Sequence, residues 1–320
     1  MSKTSKVKDL FYDYTVGAKP FIKWAGGKSQ LIKSLKEYYP KELETGKITK
    51  YFEPFVGSGA VFFNVIQNYR NVLEAYLSDI NDELILVYKV IKNHVEELTK
   101  ELSKMQIIFN EKNADERIEH YYKIRELYNK NKQKQISSKS KEISIERVSH
   151  TLFLNKTCYN GLFRVNSKGQ FNTPYGRYKN PRIVDRSNLL NCSKVLQKAK
   201  ISCSSYEKIL KHVNKNSFVY LDPPYRPLTE TSNFTAYTKF TFGDDEQKKL
   251  ADFIKQLDSK GAKVMLSNSD PKNIDKKDNF FEKLYRSNRF NIQRVKAKRM
   301  INSKGESRGA IDELIIRNYE

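Results

Sequence analysis

The segment Val219–Pro227, VYLDPPYRP, places an acid, two prolines and an aromatic ring directly after an apolar run. The apolar residues predict a strand, and the prolines prevent both a helix and further strand pairing behind it. Asp222 and Tyr225 are therefore predicted to stand on a stiff turn at the end of a strand. In open α/β sheets, this is the end at which ligands bind and reactions occur.

These side chains suit chemistry on a flat amine that is conjugated to an aromatic base. Such an amine is a poor nucleophile, and acceptors that bind its protons favour a more localised nitrogen lone pair. The Asp222 carboxylate and the Pro223 carbonyl can accept those bonds, and Tyr225 can stack on the base. A base in a duplex must first leave the helix. A methyl transfer to the amine needs no metal, because the leaving group departs neutral.

A second cluster follows an earlier strand. Glu53–Gly59 reads EPFVGSG, a turn in which small residues let the backbone approach a ligand, although such a turn can also be purely structural. Asp79 follows about 20 residues later, the spacing of an acid that binds ribose hydroxyls. The turn departs from GxGxxG and the chain has no GxxxxGK[ST], so a dinucleotide dehydrogenase and a phosphate-loop NTPase are both disfavoured.

The remaining sequence predicts the elements that position these residues. Strand and helix signals alternate up to Asn81 and again from Val184, which predicts an α/β fold. Between them, residues 83–147 are charged and helix-periodic, with a Lys/Ser-rich loop at 130–142. Residues 157–181 are rich in Gly, Asn, Pro and aromatics and predict a hairpin with SKG at its tip. At 320 residues and 38% hydrophobic content, the chain can bury one large core with an insertion.

Composition narrows the partners. The net charge of +22 and the pI near 9.6 suit a polyanion, either nucleic acid or an acidic membrane surface. No run of eighteen apolar residues occurs and the N-terminus lacks the apolar core of a signal peptide, so we expect a cytoplasmic protein that does not enter membranes. The three cysteines form no CxxC pair and the four histidines show no ligand spacing, so neither disulfides nor zinc are predicted.

Taken in order, FIKWAGGK, EPFVGSG, SDIN, YNGLFRVNSKGQFNTPYGRYKNP and DPPYRPLTETSNFTAYT resemble the motifs of the Dam-type adenine-specific DNA methyltransferases, the D12 class. The resemblance extends over residues 20–318. It implies a Rossmann-like S-adenosylmethionine-dependent fold with a mostly parallel sheet and an inserted helical and β-hairpin DNA-recognition domain. It also implies S-adenosyl-L-methionine as the donor, the N6 amino group of a flipped adenine in duplex DNA as the acceptor, and GATC as the target.

The resemblance further implies roles for single residues. Asp222, Pro223 and Tyr225 would be catalytic. Ser205 stands where many relatives have an acid, before Tyr206, which could stack on the cofactor adenine or belong to the core. Without the resemblance, Lys28 could equally be a surface lysine. The implied cofactor-binding residues are Trp24, Lys28, Glu53, Phe55, Gly57, Gly59, Asp79, Ile80, Tyr206 and Asp222.

In the implied recognition hairpin, Arg164 would read guanine, and a bidentate arginine is the commonest specific contact to that base. Tyr159 and Asn160 would wedge into the base stack, and Leu162 and Pro174 would contact thymine. The implied DNA-binding residues are Arg125, Tyr159, Asn160, Leu162, Arg164, Asn166 and Pro174. The segment after the catalytic turn, Arg226–Phe240, is interpreted as a loop that covers the flipped base or as an ordinary surface loop.

We therefore predict a basic tail at 1–13, a catalytic domain at 14–81 and 183–320, and a DNA target-recognition domain at 82–182. A methyltransferase acting on RNA or on a protein glutamine could share the DPPY turn, and a non-enzymatic DNA-binding protein with a degenerate site is a third hypothesis. The sequence leaves open whether the protein pairs with a restriction endonuclease, serves a phage or acts alone. Through DNA binding, we expect it to be associated with the nucleoid.

Overall fold

A seven-stranded sheet in the order β3-β2-β1-β4-β5-β7-β6 forms the centre of the computed structural model. Strands β1 to β5 are parallel, whereas β7 is antiparallel to both β5 and β6. The predicted mostly parallel, Rossmann-like sheet is confirmed. The strands are β1 (Lys50–Glu53), β2 (Glu74–Asp79), β3 (Ala199–Cys203), β4 (Ser217–Leu221), β5 (Lys263–Ser269), β6 (Asn291–Lys298) and β7 (Ala310–Arg317).

Both faces of the sheet are covered, and β4 shows why its sequence is apolar throughout. All five of its residues are buried, with Phe218 and Tyr220 in the core on one face and Val219 and Leu221 in the core on the other. A strand buried on both faces is continuously hydrophobic. Because β1, β2 and β4 are parallel neighbours, their carboxyl ends meet at one edge of the sheet.

The helices are α1 (Ile32–Lys36), α2 (Ala60–Asn68), α3 (Asp82–Asn93), α4 (Val95–Asn110), α5 (Ala114–Asn129), α6 (Lys141–Thr157), α7 (Arg186–Leu196), α8 (Asp244–Ser259) and α9 (Phe280–Tyr285). Side chains define several of their starts. Asn81 accepts a hydrogen bond from the Leu84 N–H at the start of α3, and Asn113 and Glu116 form a capping box at α5.

The inserted helices α4 and α6 pack on α3, and α5 packs on α6. Helix α3 itself lies against β2 and β3. A buried ion pair lies at this junction: Arg147 of α6 binds Glu83 in the first turn of α3 and the Tyr128 carbonyl of α5. Its guanidinium also lies 3.6 Å from the centroid of the Tyr128 ring. One buried cation on α6 therefore joins α3, next to the sheet, to the inserted helix α5.

The chain reverses at the predicted SKG tip, where Gly169 has a φ of 73° and donates its N–H to the Asn166 carbonyl at 2.8 Å. Around this tip, however, the described residues form only two isolated antiparallel bridges, Cys158 with Tyr175 and Val165 with Phe171, rather than regular strands. The glycines, the proline and the asparagines of this segment interrupt a regular ladder. The hairpin is therefore irregular.

The structure describes residues 17–130, 132, 140–226, 242–286, 290–298 and 310–320. Three predicted segments lie wholly or mostly outside these residues: the basic tail at 1–13, the Lys/Ser-rich loop at 130–142 and the base-covering segment at 226–240.

Candidate active site

The DPPY turn follows β4 directly, as predicted, and Lys28 holds it. The Lys28 ammonium lies 2.8 Å from Asp222 Oδ1 and donates a hydrogen bond to the Tyr225 hydroxyl at 2.8 Å. It also donates to the Gly26 carbonyl at 2.9 Å and lies 4.9 Å from the centroid of the Tyr225 ring. Lys28 is only 4% exposed, so the reading of it as a surface lysine is wrong. Its side chain fixes both the acid and the aromatic ring of the turn.

Glu313 of β7 adds a second carboxylate to this cluster, with its Oε2 atom 4.0 Å from the Lys28 ammonium. Burial disfavours the Lys28 cation, but the charges of Asp222 and Glu313 outweigh burial and raise the pKa of Lys28. Burial raises the pKa of Asp222, and the adjacent ammonium opposes that rise. The pKa of Glu313 is raised for the same reason. Lys28 thus stays charged and stabilises an ionised Asp222.

The second predicted cluster forms at the ends of β1 and β2. The Asp79 carboxylate accepts the Gly57 N–H at 3.3 Å and the Asn81 N–H at 3.0 Å. Burial raises the Asp79 pKa, and these N–H bonds counteract the rise. Ile80 beside it is 51% exposed, so an apolar side chain faces solvent next to the acid. The pair offers a carboxylate and an apolar surface at the carboxyl edge of the sheet.

The glycine turn has two different constraints. Gly57 has a φ of 46°, and a Cβ there would lie 3.2 Å from the Trp24 ring. Gly59 has a φ of 70°, and its Cβ would lie 2.5 Å from the hydroxyl of Tyr88 in α3. Both positions favour glycine through their backbone conformation. Gly59 serves helix packing, whereas Gly57 lies between Trp24 and Asp79.

Glu53 ends β1 and is buried, with Tyr51 donating a hydrogen bond to its Oε2 at 2.7 Å. Burial raises the pKa of Glu53 to about 8, with a further contribution from the charge of Asp222. Phe55 packs on Tyr206 with ring centroids 5.4 Å apart, and Tyr206 also packs edge-on against Phe253. Tyr206 is thus half in the core, with Ser205 at the start of its 3₁₀ turn.

The hairpin exposes the predicted wedge residues. Tyr159 is 55% exposed although it is a large aromatic residue, and Asn160 beside it adopts a φ of 55°. The Pro174 carbonyl accepts the Tyr159 N–H at 2.8 Å, and Thr173 donates its hydroxyl to the Leu162 carbonyl at 2.7 Å. The backbone is thus cross-linked while the side chains at 159 and 160 stay in solvent.

The three remaining predicted DNA contacts have different settings. Arg164 is exposed, and its Nε donates to Asn172 Oδ1 at 3.0 Å, which orients the guanidinium. Asn166 accepts the N–H groups of Lys168 and Gln170 at 3.0 Å each, so its side chain holds the tip of the hairpin. Arg125 is half-buried and reaches the Thr173 carbonyl at 3.5 Å.

Trp24 joins the two regions. Its ring stacks on Phe163 of the hairpin, with centroids 5.4 Å apart and an angle of 26° between the planes. The buried Asn155 of α6 accepts the Lys23 N–H at 2.9 Å and donates to the Gly161 carbonyl at 3.1 Å. The KWAGGK segment therefore contacts the catalytic turn through Lys28, and Lys23 and Trp24 lie against the hairpin at Gly161 and Phe163.

Comparison with known proteins agrees with this geometry. The family model of the D12 class N6 adenine-specific DNA methyltransferases matches residues 24–301. The chain belongs to this family. It is 52% identical to the Type II methyltransferase M.MjaIII of Methanocaldococcus jannaschii over 94% of this chain and 99% of that protein. It is 39% identical to the Type II methyltransferase M1.LlaDCHI of Lactococcus lactis subsp. cremoris over 97% and 99%, respectively.

It is also 34% identical to the DNA adenine methylase of Escherichia coli K12, over 92% of this chain and 93% of the relative. The predicted enzyme class, an adenine-specific DNA methyltransferase, is confirmed. The hypotheses of a glutamine or RNA methyltransferase and of a non-enzymatic binding protein are not favoured by these relatives.

Sequence reasoning missed several residues of this D12 methyltransferase. They are Glu313, Asn155, Arg226 and Gln247. Each has at least one partner 18 or more positions away in the chain, and only Arg226 belongs to a motif quoted for the family resemblance. Arg226 binds Asp244 at 2.5 Å and Asp278 at 2.6 Å, with its guanidinium 4.3 Å from the Phe280 ring centroid. An arginine next to DPPY, with acids at the following helix start, is the signal that could have revealed this anchor.

The methyltransferase shows no group of three His, Cys, Asp or Glu side chains arranged for a metal within its described residues. In the same part of the chain, no helix combines the length and apolarity needed to span a membrane.

Proposed function

We propose that this methyltransferase transfers a methyl group from S-adenosyl-L-methionine to the N6 amino group of an adenine flipped out of duplex DNA, within GATC. The single observation that carries the proposal is the placement of Asp222 and Tyr225. Lys28 holds both at the carboxyl end of β4, and β1 alone separates β4 from the strand that ends at Asp79. An amine acceptor and a ribose-binding acid thus share one edge of the sheet.

The methyl donor would be held by residues of the β1–β2 edge. The Asp79 carboxylate fits ribose hydroxyls, and the exposed Ile80 and the Phe55–Tyr206 pair offer apolar surface for a flat ring. Asp222 and Glu313 both lie within 4.0 Å of the Lys28 ammonium, so two carboxyl groups share one cation, which suits a cationic ligand. When bound, the donor supplies an electrophilic methyl group on a sulfonium and departs as a neutral thioether.

The chain's own groups orient the nucleophile. Asp222 and the Pro223 carbonyl accept the two amine protons, and Tyr225 stacks on the flipped base, which favours a lone pair directed at the methyl group. After transfer, the nitrogen carries a positive charge and must lose one proton. The Asp222 carboxylate, with its pKa raised by burial, is the adjacent base that can accept it.

Recognition of GATC is proposed from the hairpin. Arg164 is exposed and oriented by Asn172, as bidentate binding of guanine requires. Tyr159 and Asn160 are exposed at a cross-linked backbone and could fill the space that the flipped base leaves. We assign residues 82–182 to target recognition and residues 14–81 and 183–320 to catalysis, although α3, inside the first range, also packs on β2 and β3.

The test is transfer of labelled methyl from S-adenosyl-L-methionine to matched duplexes that contain GATC or a single altered base pair. We expect N6-methyladenine in GATC duplexes and a much lower yield in the others. Asp222→Ala should lower the rate by about 10²–10⁴-fold. Asp252→Ala, an exposed acid on α8, is the matched control and should leave the rate unchanged. Methylation of all duplexes at one rate would contradict GATC recognition, and an active Asp222→Ala variant would contradict the catalytic turn.

We also propose that the enzyme protects DNA from a restriction endonuclease with the same target. The support is its likeness to two relatives whose names include Type II methyltransferase. DNA methylated to completion by this enzyme should resist an endonuclease that cleaves unmethylated GATC. Cleavage of fully methylated DNA would contradict this role without affecting the proposed reaction.

A further inference from the structure

Helix α8 contacts the catalytic turn through a side chain that has no role in the chemistry proposed above. Gln247, in the first turn of α8, donates from Nε2 to the Pro224 carbonyl at 3.3 Å. Its side chain is fully buried. Pro223 and Pro224 have no N–H groups, so the backbone of the turn has fewer ways to be fixed than an ordinary turn.

The orientation of the Gln247 amide is determined by a second buried amide. Asn268, near the end of β5, donates from Nδ2 to Gln247 Oε1 at 3.2 Å. Asn268 Oδ1 in turn accepts the Ser269 N–H at 2.9 Å. A backbone N–H can only donate and a carbonyl can only accept, so the chain from Ser269 to Pro224 has one consistent polarity. Gln247 therefore directs its NH₂ group at the turn.

This bond constrains one of the soft dihedrals between the acid and the ring, namely ψ of Pro224. The pyrrolidine ring already restricts φ at both prolines, whereas ψ of Pro224 sets the direction of its carbonyl and of the chain that continues into Tyr225. On the other side of Tyr225, Arg226 is bound by Asp244, which begins α8. The first turn of α8 therefore holds the Pro224 carbonyl before the aromatic ring and the Arg226 side chain after it.

We infer that Gln247 is a positioning residue for adenine methylation, which acts through the Pro224 carbonyl to place Tyr225 and the acceptors of the flipped base. The inference rests on the catalytic turn assigned under the proposed function. A buried glutamine with a purely structural role would change stability without selectively changing the methylation step. Displacing reacting groups by about 1 Å can cost roughly 10²-fold in rate.

The first experiment measures single-turnover methylation of a saturating GATC duplex by Gln247→Leu. We expect roughly a 10²-fold lower rate constant. For the variant and the unchanged enzyme, the affinity for the duplex and the fluorescence of a duplex with 2-aminopurine at the target position are measured in parallel. The affinity should remain that of the unchanged enzyme, because phosphate contacts supply it. An unchanged rate constant in a folded Gln247→Leu variant would overturn the inference.

The second experiment uses Gln247→Glu, which keeps an oxygen for Asn268 but loses the donor to Pro224. A protonated glutamic acid regains that donor, so the rate relative to the unchanged enzyme should rise as the pH falls. Gln256→Glu, the same change at an exposed position of α8, is the control and should give a ratio independent of pH. If the rate of Gln247→Glu relative to the unchanged enzyme does not depend on pH, the inference is overturned. This test holds even if Gln247→Leu does not fold. Activity in Asp222→Ala would instead reject the proposed catalytic turn itself.

Discussion

The catalytic turn and the recognition hairpin are both irregular segments, but the structure holds them in opposite ways. At the turn, side chains from distant elements bind the functional groups themselves: Lys28 contacts Asp222 and Tyr225. In the hairpin, mainly backbone groups are cross-linked, while Tyr159 and Arg164 extend into solvent. Under the proposed function, the reacting groups are therefore held in place before the substrate binds, whereas most of the groups that would contact bases remain free in solvent.

Lys28 provides the strongest test of whether the catalytic turn is held by its buried ion pair. Lys28→Met should destabilise the protein by about 3–5 kcal/mol, because it leaves the buried Asp222 carboxylate without its partner. The measurement is denaturant unfolding. Lys255→Met, which removes an exposed pair with Asp252, is the control and should cost only about 0–1 kcal/mol.

The double variant Lys28→Met with Asp222→Asn should be more stable than Lys28→Met alone, because the unpaired charge is gone. If the double variant were the less stable of the two, the interpretation of Lys28 as the counter-ion of Asp222 would be wrong.

Tyr225→Ala tests whether the aromatic ring serves the substrate. We expect a loss of about 1–3 kcal/mol in the stabilisation of the flipped base, by analogy with base stacking on aromatic side chains. Single-turnover methylation of a normal duplex and of one with a mismatched target adenine measures it. Tyr225→Phe keeps the ring but loses the bond from Lys28, so it should retain more activity than Tyr225→Ala. Equal activity of the two variants would contradict a stacking role for the Tyr225 ring.

Arg164 tests whether an exposed side chain of the hairpin reads the guanine of the target. Arg164→Ala should reduce discrimination at the guanine by about 1–3 kcal/mol, with protein stability unchanged because the side chain is exposed. The measurement is the ratio of methylation rates for GATC and for duplexes altered at that position. Arg182→Ala, another exposed arginine beyond the hairpin, is the control. If this ratio of rates is unchanged in Arg164→Ala, Arg164 does not read the guanine.

Glu53 gives the smallest predicted effect, seen as a dependence on pH. Burial raises its pKa from 4.5 to about 8, so protonated Glu53 stabilises the fold at low pH. That contribution is lost as the pH rises through about 8, because the buried group must then ionise. Between about pH 6 and pH 9, the melting temperature of Glu53→Gln should therefore fall less than that of the unchanged protein. Glu101→Gln, at an exposed site, should follow the unchanged protein.

The parts of the site that could be predicted are those fixed by neighbours in sequence. Two prolines after an apolar run require a turn wherever that run folds, and Asp79 follows Gly57 at the spacing of one βαβ unit. The central strands of the sheet were also predictable from local sequence, because strands that are buried on both faces are continuously apolar. Antiparallel β6 was not predicted, because its charged sequence NIQRVKAK lacks this signal.

The partners of the site residues could not be predicted, because they depend on contacts between distant parts of the chain. Lys28 and Tyr225 are separated by 197 positions, and Glu313 reaches the cluster only because β7 lies antiparallel beside β5. Gln247 and Asn268 are ordinary polar residues in sequence and become informative only when both are seen to be buried. A local pattern specifies which side chains are available, and tertiary packing decides what they bind.

The buried pair of Arg147 and Glu83 has a consequence for engineering new specificities. A chimera that exchanged residues 95–182 with those of a relative would place a foreign residue opposite Glu83, which remains behind on α3. Unless the donor also supplied a cation there, Glu83 would be left as an unpaired buried charge, at a cost of about 3–5 kcal/mol. A graft that begins at residue 82 instead transfers both partners together. The transplantable unit is therefore defined by this ion pair rather than by the ends of the hairpin.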